Sequence, residues 1–190
     1  MPSKDNKVII FSAPSGSGKT TIVQYLLKQF ETLQFSVSAT SRAPRGKEVN
    51  GKDYFFISTE EFEKRISDGA FVESEEVYKG VYYGTLLSEV ERLWADGKTI
   101  VFDVDVKGGI RLKEKFGAQA LSLFIMPPSI SELESRLKNR GTDSQENIAK
   151  RVAKAEIEIA DAENFDTIIV NDNLEVALKE AHKIVADFLA

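Results

Sequence analysis

The sequence lacks cysteine altogether and has one histidine and one tryptophan among its 190 residues. Without cysteine the chain has no disulfides and no thiolate metal sites, as is typical of proteins in a reducing compartment. No apolar run is long enough to span a bilayer, and residues 1–7 lack the apolar core of a signal peptide. We therefore expect a cytoplasmic protein with no membrane partner.

The chain also has no excess of positive charge. It carries 25 basic and 30 acidic residues, for a formal net charge of −5. A general nucleic-acid surface needs many lysines and arginines to displace phosphate counterions, so we expect no nucleic-acid partner. Any anionic ligand must then be met by a local group of basic residues. The length fits one domain with insertions, and the patterning leaves monomer and homo-oligomer equally open.

A glycine-rich loop follows the first apolar run. Residues 13–20 read APSGSGKT, after VIIF and before a helical pattern. The loop fits G-x-x-x-x-G-K-[ST], except that Ala13 replaces the first glycine. In such a loop, backbone N–H groups and a helix N-terminus surround a phosphate, Lys19 reaches the outer phosphates, and the Thr20 hydroxyl can bind Mg²⁺. The alternative is an ordinary glycine and serine turn, which the flanking strand and helix patterns disfavour.

Strand and helix patterns alternate along most of the chain. We expect strands over 8–11, 35–38, 54–57, 71–78, 81–83, 99–106, 120–126 and 167–170. Helices are expected over 22–30, 58–66, 86–95, 108–116, 129–139, 142–162 and 176–189. Ser58 and Ser129 begin capping boxes of the form S-x-x-E. The last helix is expected to turn these residues inward: Val176, Ala177, Ala181, Ile184, Val185 and Phe188.

This alternation predicts an α/β fold, with a parallel sheet flanked by helices on both faces. Ligands of such sheets bind at the carboxyl ends of the strands. The block 36–85 has short strands without alternating long helices, so we expect it to form an inserted subdomain.

Two acidic residues form a second candidate site. Asp103 and Asp105 lie two positions apart at the end of a predicted strand, which places both side chains on the same side. One of them can hold Mg²⁺ through water, and the structural alternative is a strand-end turn. Asp105 also begins a D-x-x-G pattern like a GTPase switch, but the guanine-reading N-K-x-D of GTPases is absent from the sequence.

Arginines form a third candidate group. Arg42 and Arg45 lie three apart in a polar loop, Arg136 and Arg140 lie four apart on one helix face, and Arg151 lies on the next helix. Taken singly, each is most often a solvated surface residue. Together they can supply the positive charge that phosphoryl transfer requires.

Seven segments stand out, in order and nearly from end to end: residues 12–20 SAPSGSGKT, 38–46 SATSRAPRG, 48–54 EVNGKDY, 82–85 YYGT, 103–105 DVD, 136–142 RLKNRGT and 169–172 IVND. Together they resemble the guanylate kinase family. The resemblance implies an enzyme of purine nucleotide metabolism that moves the γ-phosphoryl of ATP to GMP, with Mg²⁺ as cofactor. It implies one domain in three parts: a P-loop NTPase core (1–35, 86–128 and 161–190), a mixed-β GMP-binding region (36–85) and a helical lid (129–160).

The resemblance also implies roles for individual residues. The ATP-binding set is Ala13, Pro14, Ser15, Gly16, Ser17, Gly18, Lys19, Thr20, Thr21 and Asn171. The GMP-binding set is Ser38, Arg42, Arg45, Tyr54, Glu73, Tyr83, Thr85 and Asp105. The catalytic set is Lys19, Arg42, Arg136, Arg140 and Arg151, and the metal-binding pair is Thr20 and Asp103. Without the resemblance, Glu73 would be interpreted as a surface acid in the run ESEE at 73–76.

Two other functions remain open. The first is a guanylate-kinase-like binding module, which would keep the fold and bind protein partners without turnover. Its usual mark is a damaged phosphate loop, and here Gly16, Gly18, Lys19 and Thr20 are intact.

The second alternative function is a kinase of another phosphorylated acceptor, such as a ribose bisphosphate. Guanine presents N1–H and an N2 amino group side by side, which one carboxylate such as Glu73 can accept together, so this residue favours guanine.

Overall fold

A computed structural model describes residues 6–141 and 144–190, except the side chains of residues 78 and 140. Within these residues the chain forms nine strands and seven α-helices. The strands are β1 (Val8–Ser12), β2 (Leu33–Phe35), β3 (Ala39–Thr40), β4 (Phe55–Phe56), β5 (Phe71–Tyr78), β6 (Val81–Leu86), β7 (Thr99–Asp103), β8 (Ala120–Met126) and β9 (Thr167–Val170). The helices are α1 (Lys19–Gln29), α2 (Thr59–Ser67), α3 (Leu87–Ala95), α4 (Val106–Phe116), α5 (Ile130–Arg140), α6 (Gln145–Ala160) and α7 (Leu174–Leu189).

The described chain divides into two compact units. One is Gln34–Ile100, which we call the inserted unit, and the residues on either side of it form the main unit. The inserted unit is longer than the block 36–85 expected from the sequence because it also contains α3.

The main sheet has five strands in the order β2-β7-β1-β8-β9. Strand β8 pairs in parallel with both β1 and β9, as the alternating pattern predicts. Every residue of β1 is buried, which explains why its first four residues, VIIF, are a continuous apolar run rather than an alternating pattern. The fold is therefore α/β with a parallel central sheet flanked by helices.

Helices α5 and α6 pack on each other through one apolar cluster of the main unit. Its buried members are Leu133, Leu137, Ile148 and Ala155. Ser129 caps α5, as predicted, by accepting a hydrogen bond from the backbone N–H of Glu132. Ser144 caps α6 by accepting one from the N–H of Asn147, whereas Thr142 and Asp143 of the expected cap lie outside the described residues.

The inserted unit has its own sheet, in the order β4-β3-β6-β5. Strand β3 pairs in parallel with β4 and antiparallel with β6, and β6 pairs antiparallel with β5. Its core consists of Ala39, Phe62, Phe71 and Leu86. Ser58 caps α2 by accepting a hydrogen bond from the N–H of Glu61, which confirms the predicted N-cap, and the Glu61 carboxylate accepts from Nε of Arg65.

Three details differ from the sequence predictions. Of the strand expected over 35–38, only Phe35 is in a strand, where it ends β2; residues 36–38 connect β2 to β3, which begins at Ala39 and belongs to the other sheet. The strand expected over 99–106 ends at Asp103, and α4 begins at Val106. Val176 was expected to face inward but is 62% exposed, because it lies in the first turn of α7 whereas Ala177, Ala181 and Val185 form the buried stripe.

None of the helices in the described residues is both long enough and apolar enough to cross a membrane.

Candidate active site

The glycine-rich loop connects β1 to α1 in the main unit. Gly16 and Gly18 have φ angles of 102° and 90°, a region that side chains with a Cβ rarely adopt. Gly18 is the N-cap of α1 and offers no side-chain cap, and its carbonyl accepts from the N–H groups of Thr21 and Ile22. The N–H groups of the first two helical residues, Lys19 and Thr20, precede the first bonds of this helix and face the loop. Together with the helix dipole, these groups create a site for an anion at the N-terminus of α1.

A cavity of about 430 Å³ opens beside this loop. Its walls come from the loop, from the segment after β7, and from α6. They consist of Ala13, Pro14, Ser15, Gly16, Gly18, Lys19, Thr20, Asp103, Val104, Asp105, Arg151, Lys154 and Glu158. The cavity therefore lies where strands β1 and β7 end, as expected for a parallel sheet.

Lys19 is held at the carboxyl end of β7. Its ammonium group forms an ion pair with the carboxylate of Asp103 and donates a hydrogen bond to the carbonyl of Val104 at 3.1 Å. Its side chain is only 17% exposed, so its charge stands on the wall of the cavity rather than in open solvent.

The two aspartates do not have the equivalent positions that the sequence predicts. Asp103 is the last residue of β7, whereas Asp105 lies beyond the strand as the N-cap of α4. The Asp105 carboxylate accepts a hydrogen bond from the N–H of Gly108 at 2.8 Å. Asp105 is therefore a helix cap at the cavity wall, and Asp103 is the carboxylate that faces Lys19.

Three residues of the predicted ATP-binding set lie outside the cavity lining. Ser17 is fully buried and Thr21 is exposed on α1. Asn171 is buried behind the loop, where its Nδ2 donates a hydrogen bond to the carbonyl of Ser17 at 2.7 Å. Through this hydrogen bond, Asn171 supports the phosphate loop from behind.

The arginines of α5 and α6 have different surroundings. Arg151 lines the cavity and donates from Nη1 to the Ser15 hydroxyl at 2.7 Å. Arg136 is paired with Glu132 at 2.9 Å and donates to the carbonyl of Asn171 at 3.1 Å. The side chain of Arg140 lies outside the described part of the chain.

Two charged residues of the cavity wall are absent from the sets predicted from the sequence. Lys154 and Glu158 line the cavity beside Arg151 and form an ion pair of 3.2 Å with each other. They follow Arg151 by three and seven positions, so they lie on the same face of α6. That spacing was the available signal.

In the inserted unit, Arg42 lies among aromatic side chains. Its Nε donates a hydrogen bond to the hydroxyl of Tyr83 at 2.9 Å, and its guanidinium lies 4.9 Å from the ring centre of Tyr54. The two tyrosine rings meet edge to face, with their centres 5.9 Å apart. Both Nη atoms of Arg42 donate to the carboxylate of Glu48, at 2.6 and 2.8 Å. This ion pair raises the pKa of Arg42 and lowers the pKa of Glu48 to about 2.

A second polar pair lies on the sheet of the same unit. Glu73 in β5 is directly opposite Thr85 in β6, and the Thr85 hydroxyl donates to the Glu73 carboxylate at 2.9 Å. Thr85 is buried and Glu73 is half-buried. The neighbouring tyrosine, Tyr82, donates instead to Glu63 at 3.1 Å and stacks on Phe62.

The two remaining residues of the predicted acceptor set lie in loops of the inserted unit. Ser38 is half-buried between β2 and β3, and its carbonyl accepts a hydrogen bond from the N–H of Phe55 at 2.9 Å. Arg45 is exposed, and its N–H donates to Glu48 at 2.7 Å.

The parallel sheet and the lysine-bearing loop at the N-terminus of α1 together define a P-loop nucleotide-binding protein. The sequence profile of the guanylate kinase family matches residues 5–188. The chain therefore belongs to the guanylate kinase family.

Individual relatives agree with this assignment. A guanylate kinase from Bacteroides fragilis is 56% identical over 183 residues, which are 96% of this chain and 90% of that protein. One from Porphyromonas gingivalis is 55% identical over 185 residues, or 97% of this chain and 98% of that protein. A crystal structure of guanylate kinase from Anaplasma phagocytophilum superposes with a TM-score of 0.71 at 31% identity, covering 95% of this chain and 85% of that one.

Proposed function

We propose that this protein transfers the γ-phosphoryl group of ATP to GMP and releases ADP and GDP. The observation that carries the proposal is the intact phosphate loop, in which Lys19 stands on a cavity wall and is held by Asp103. A family member that only bound proteins would have no use for this arrangement. The membership of the chain in the guanylate kinase family supplies the choice of acceptor.

The donor site is assigned to the main unit. The N–H groups at the start of α1 bind phosphate oxygens of ATP, and Lys19 neutralises the outer phosphates. The donor set comprises Ala13, Pro14, Ser15, Gly16, Ser17, Gly18, Lys19, Thr20 and Thr21, with Asn171 supporting the loop from behind.

The same cavity suits a magnesium ion. Thr20 offers a hydroxyl and Asp103 a carboxylate, and both line the cavity. Among the described residues no group of three or more histidine, aspartate or glutamate side chains could hold an ion alone. Mg²⁺ favours such sparse sites, since it keeps water and takes phosphate oxygens as ligands. When bound, it would neutralise negative charge on the phosphates of ATP.

The acceptor site is assigned to the block 36–85. Arg42, Arg45, Tyr54 and Tyr83 hold the phosphate of GMP by charge and hydrogen bonds. Glu73 accepts from N1–H and the N2 amino group of guanine, and Ser38 and Thr85 complete the contacts to the base. An adenine base presents a bare N1 acceptor, which would leave Glu73 unpaired, and such a mismatch can reduce reactivity by about 10⁴-fold or more.

The residues 129–160 are proposed to form a lid over a core made of 1–35, 86–128 and 161–190. Arg136, Arg140 and Arg151 would stabilise the transferring phosphoryl group when the lid closes, and closure would exclude water. The chain needs no general base, because the attacking phosphate of GMP is already an anion. Transfer therefore depends on alignment of two anions and on positive charge around them.

We propose that the enzyme acts in the cytoplasm on free nucleotides, as a monomer or a homo-oligomer, without nucleic-acid or membrane partners. A net charge of −5 disfavours a broad basic surface, so anionic ligands must be bound by local groups of basic residues such as Arg42 and Arg45.

An acceptor panel tests the proposal. ADP formation from Mg·ATP would be measured with GMP, AMP, CMP, UMP and a ribose bisphosphate in turn. We expect rapid turnover with GMP alone. Comparable turnover with AMP or with the ribose bisphosphate, or none with GMP, would refute it.

A further inference from the structure

Glu48 connects the two arginines of the loop between β3 and β4. Its Oε2 accepts from Nη1 of Arg42 at 2.6 Å and from the backbone N–H of Arg45 at 2.7 Å, and its Oε1 accepts from Nη2 of Arg42 at 2.8 Å. One carboxylate thus fixes the side chain of one arginine and the backbone of the other.

Arg42 needs such a partner because it is largely withdrawn from solvent. Its side chain is 9% exposed and lies over the rings of Tyr54 and Phe56, at 4.9 and 5.7 Å from their centres. A bidentate carboxylate matches the flat edge of a guanidinium and fixes its plane. The Glu48 carboxylate therefore determines how the Arg42 guanidinium is oriented between the aromatic rings.

The orientation of Arg42 in turn determines where the Tyr83 hydroxyl can donate its hydrogen bond. Bonds to Tyr83, Glu48 and the carbonyl of Ala43 use four of the five N–H groups of Arg42. Because the Tyr83 oxygen accepts from Nε, its own O–H must point to another acceptor. A phosphate beside this cluster can then receive the Tyr83 hydroxyl, the fifth N–H of Arg42 and the side chain of Arg45.

We propose that Glu48 is a positioning residue for the phosphate of the acceptor nucleotide. In this role the Glu48 carboxylate makes no contact with the phosphate. It fixes the plane of the Arg42 guanidinium, and through Arg42 it directs the Tyr83 hydroxyl. This inference rests on the proposed function, since it assigns a supporting role within the GMP site.

Steady-state kinetics of Glu48→Gln test the role. The amide keeps the size of the side chain but places N–H groups against the N–H edge of Arg42. Loss of one charge-assisted bond corresponds to a factor of about 10 to 100. We therefore expect KM for GMP to rise about 10- to 100-fold, with kcat and KM for ATP changed less than about threefold.

Asp53→Asn is the matched control. Asp53 lies in the same loop, and its carboxylate accepts from the N–H of Val49 at 2.7 Å, whereas the carboxylate that pairs with Arg42 is that of Glu48. The variant removes the same charge from the same loop, so KM for GMP should stay within about threefold of the wild-type value.

A double-mutant cycle with Arg42→Lys separates positioning from general loop stability. If Glu48 acts through Arg42, then Glu48→Gln adds no further rise in KM for GMP once residue 42 is lysine. Additive effects, an equal rise in Asp53→Asn, or an unchanged KM in Glu48→Gln would each overturn the inference. A lower KM in Glu48→Gln would also overturn it, by showing that Glu48 competes with the phosphate.

The wild-type measurement distinguishes this inference from the proposal on which it rests. A wild type that does not phosphorylate GMP contradicts both. An active wild type with an unaffected Glu48→Gln variant contradicts the role of Glu48 alone.

Discussion

The side chain of Asn171 donates a hydrogen bond from Nδ2 to the backbone carbonyl of Ser17, over 2.7 Å, in the interior of the main unit. The backbone of Asn171 is also engaged, because its N–H donates to the carbonyl of Met126 and its carbonyl accepts from Arg136. One buried residue after β9 thus connects the phosphate loop, β8 and α5.

Replacement of Asn171 by alanine is expected to weaken this connection. The carbonyl of Ser17 would lose its partner inside the protein, at a cost of about 1–3 kcal/mol. We expect a corresponding loss in the free energy of unfolding, measured in urea, and a several-fold rise in KM for ATP. Asn164→Ala is the control, because Asn164 donates its side-chain bond on the surface, and its loss should stay within about 0.5 kcal/mol. Equal losses in both variants would contradict the role of Asn171.

Gly18→Ala is expected to destabilise the phosphate loop more than a comparable change elsewhere. Gly18 has a φ of 90°, and an added Cβ would collide with the Nδ2 of Asn171. Gly69 has a similar φ of 67°, with nothing within 4 Å of an added Cβ. Gly69→Ala should therefore cost only the backbone term of about 1–2 kcal/mol. Thermal unfolding should give a clearly lower Tm for Gly18→Ala, and a Tm equal to that of Gly69→Ala would show that the contact with Asn171 carries no cost.

Lys19→Ala is expected to abolish phosphoryl transfer while GMP still binds. The variant removes the positive charge that stands on the cavity wall, and electrostatic stabilisation of this kind is worth about 10²- to 10³-fold or more in kcat. Lys28→Ala is the control, since Lys28 lies exposed in the last turn of the same helix. Its kcat should equal that of the wild type. A Lys19→Ala enzyme with more than about a tenth of wild-type kcat would exclude this role.

Glu73→Gln is expected to raise KM for GMP by about 10-fold or more and to leave KM for ATP unchanged. A glutamine can accept from Thr85 but cannot accept from two guanine N–H groups with a full negative charge. Glu76→Gln is the control, because Glu76 lies in the same acidic run and its carboxylate accepts a hydrogen bond from the turn N–H of Gly80, at 2.7 Å. If Glu76→Gln raised KM as much, the effect would belong to charge in the acidic run rather than to the base contact.

The pKa of Glu48 should be unusually low, and this lowering should depend on Arg42. The hydrogen bonds from Arg42 lower the pKa of Glu48 from 4.5 to about 2. A carboxylate whose pKa is lower in the folded chain than in the unfolded chain stabilises the fold at pH values above its ordinary pKa. This contribution to stability is lost as the pH falls from 4.5 through about 2. Carboxyl ¹³C NMR should therefore show Glu48 still ionised at pH 3.5 in the wild type. In Arg42→Met the pKa should return toward 4.5, and an unshifted titration there would contradict the pairing.

Local patterns were sufficient for most of the secondary structure. The strands over 120–126 and 167–170, the caps at Ser58 and Ser129, and the loop before Lys19 were all predicted from short-range chemistry. The end of β2 at Phe35 was not predicted, because strand propensity does not say which partner a strand pairs with, and residues 36–38 connect β2 in one sheet to β3 in the other. The exposure of Val176 was missed for a similar reason, since the periodicity of a helix does not say where its buried stripe begins.

By itself, the sequence determined the nucleotide class and the family of this protein. The glycine loop, the lysine and the order of the motifs are consecutive residues whose chemistry is local, so they can be recognised without coordinates. The tertiary structure alone decided which polar groups meet. It paired Lys19 with Asp103, made Asp105 a helix cap, placed Asn171 behind Ser17, and joined Arg42 to Tyr83 across 41 positions. These partners are set by how strands and helices pack, and the distances involved are properties of the folded chain rather than of any segment.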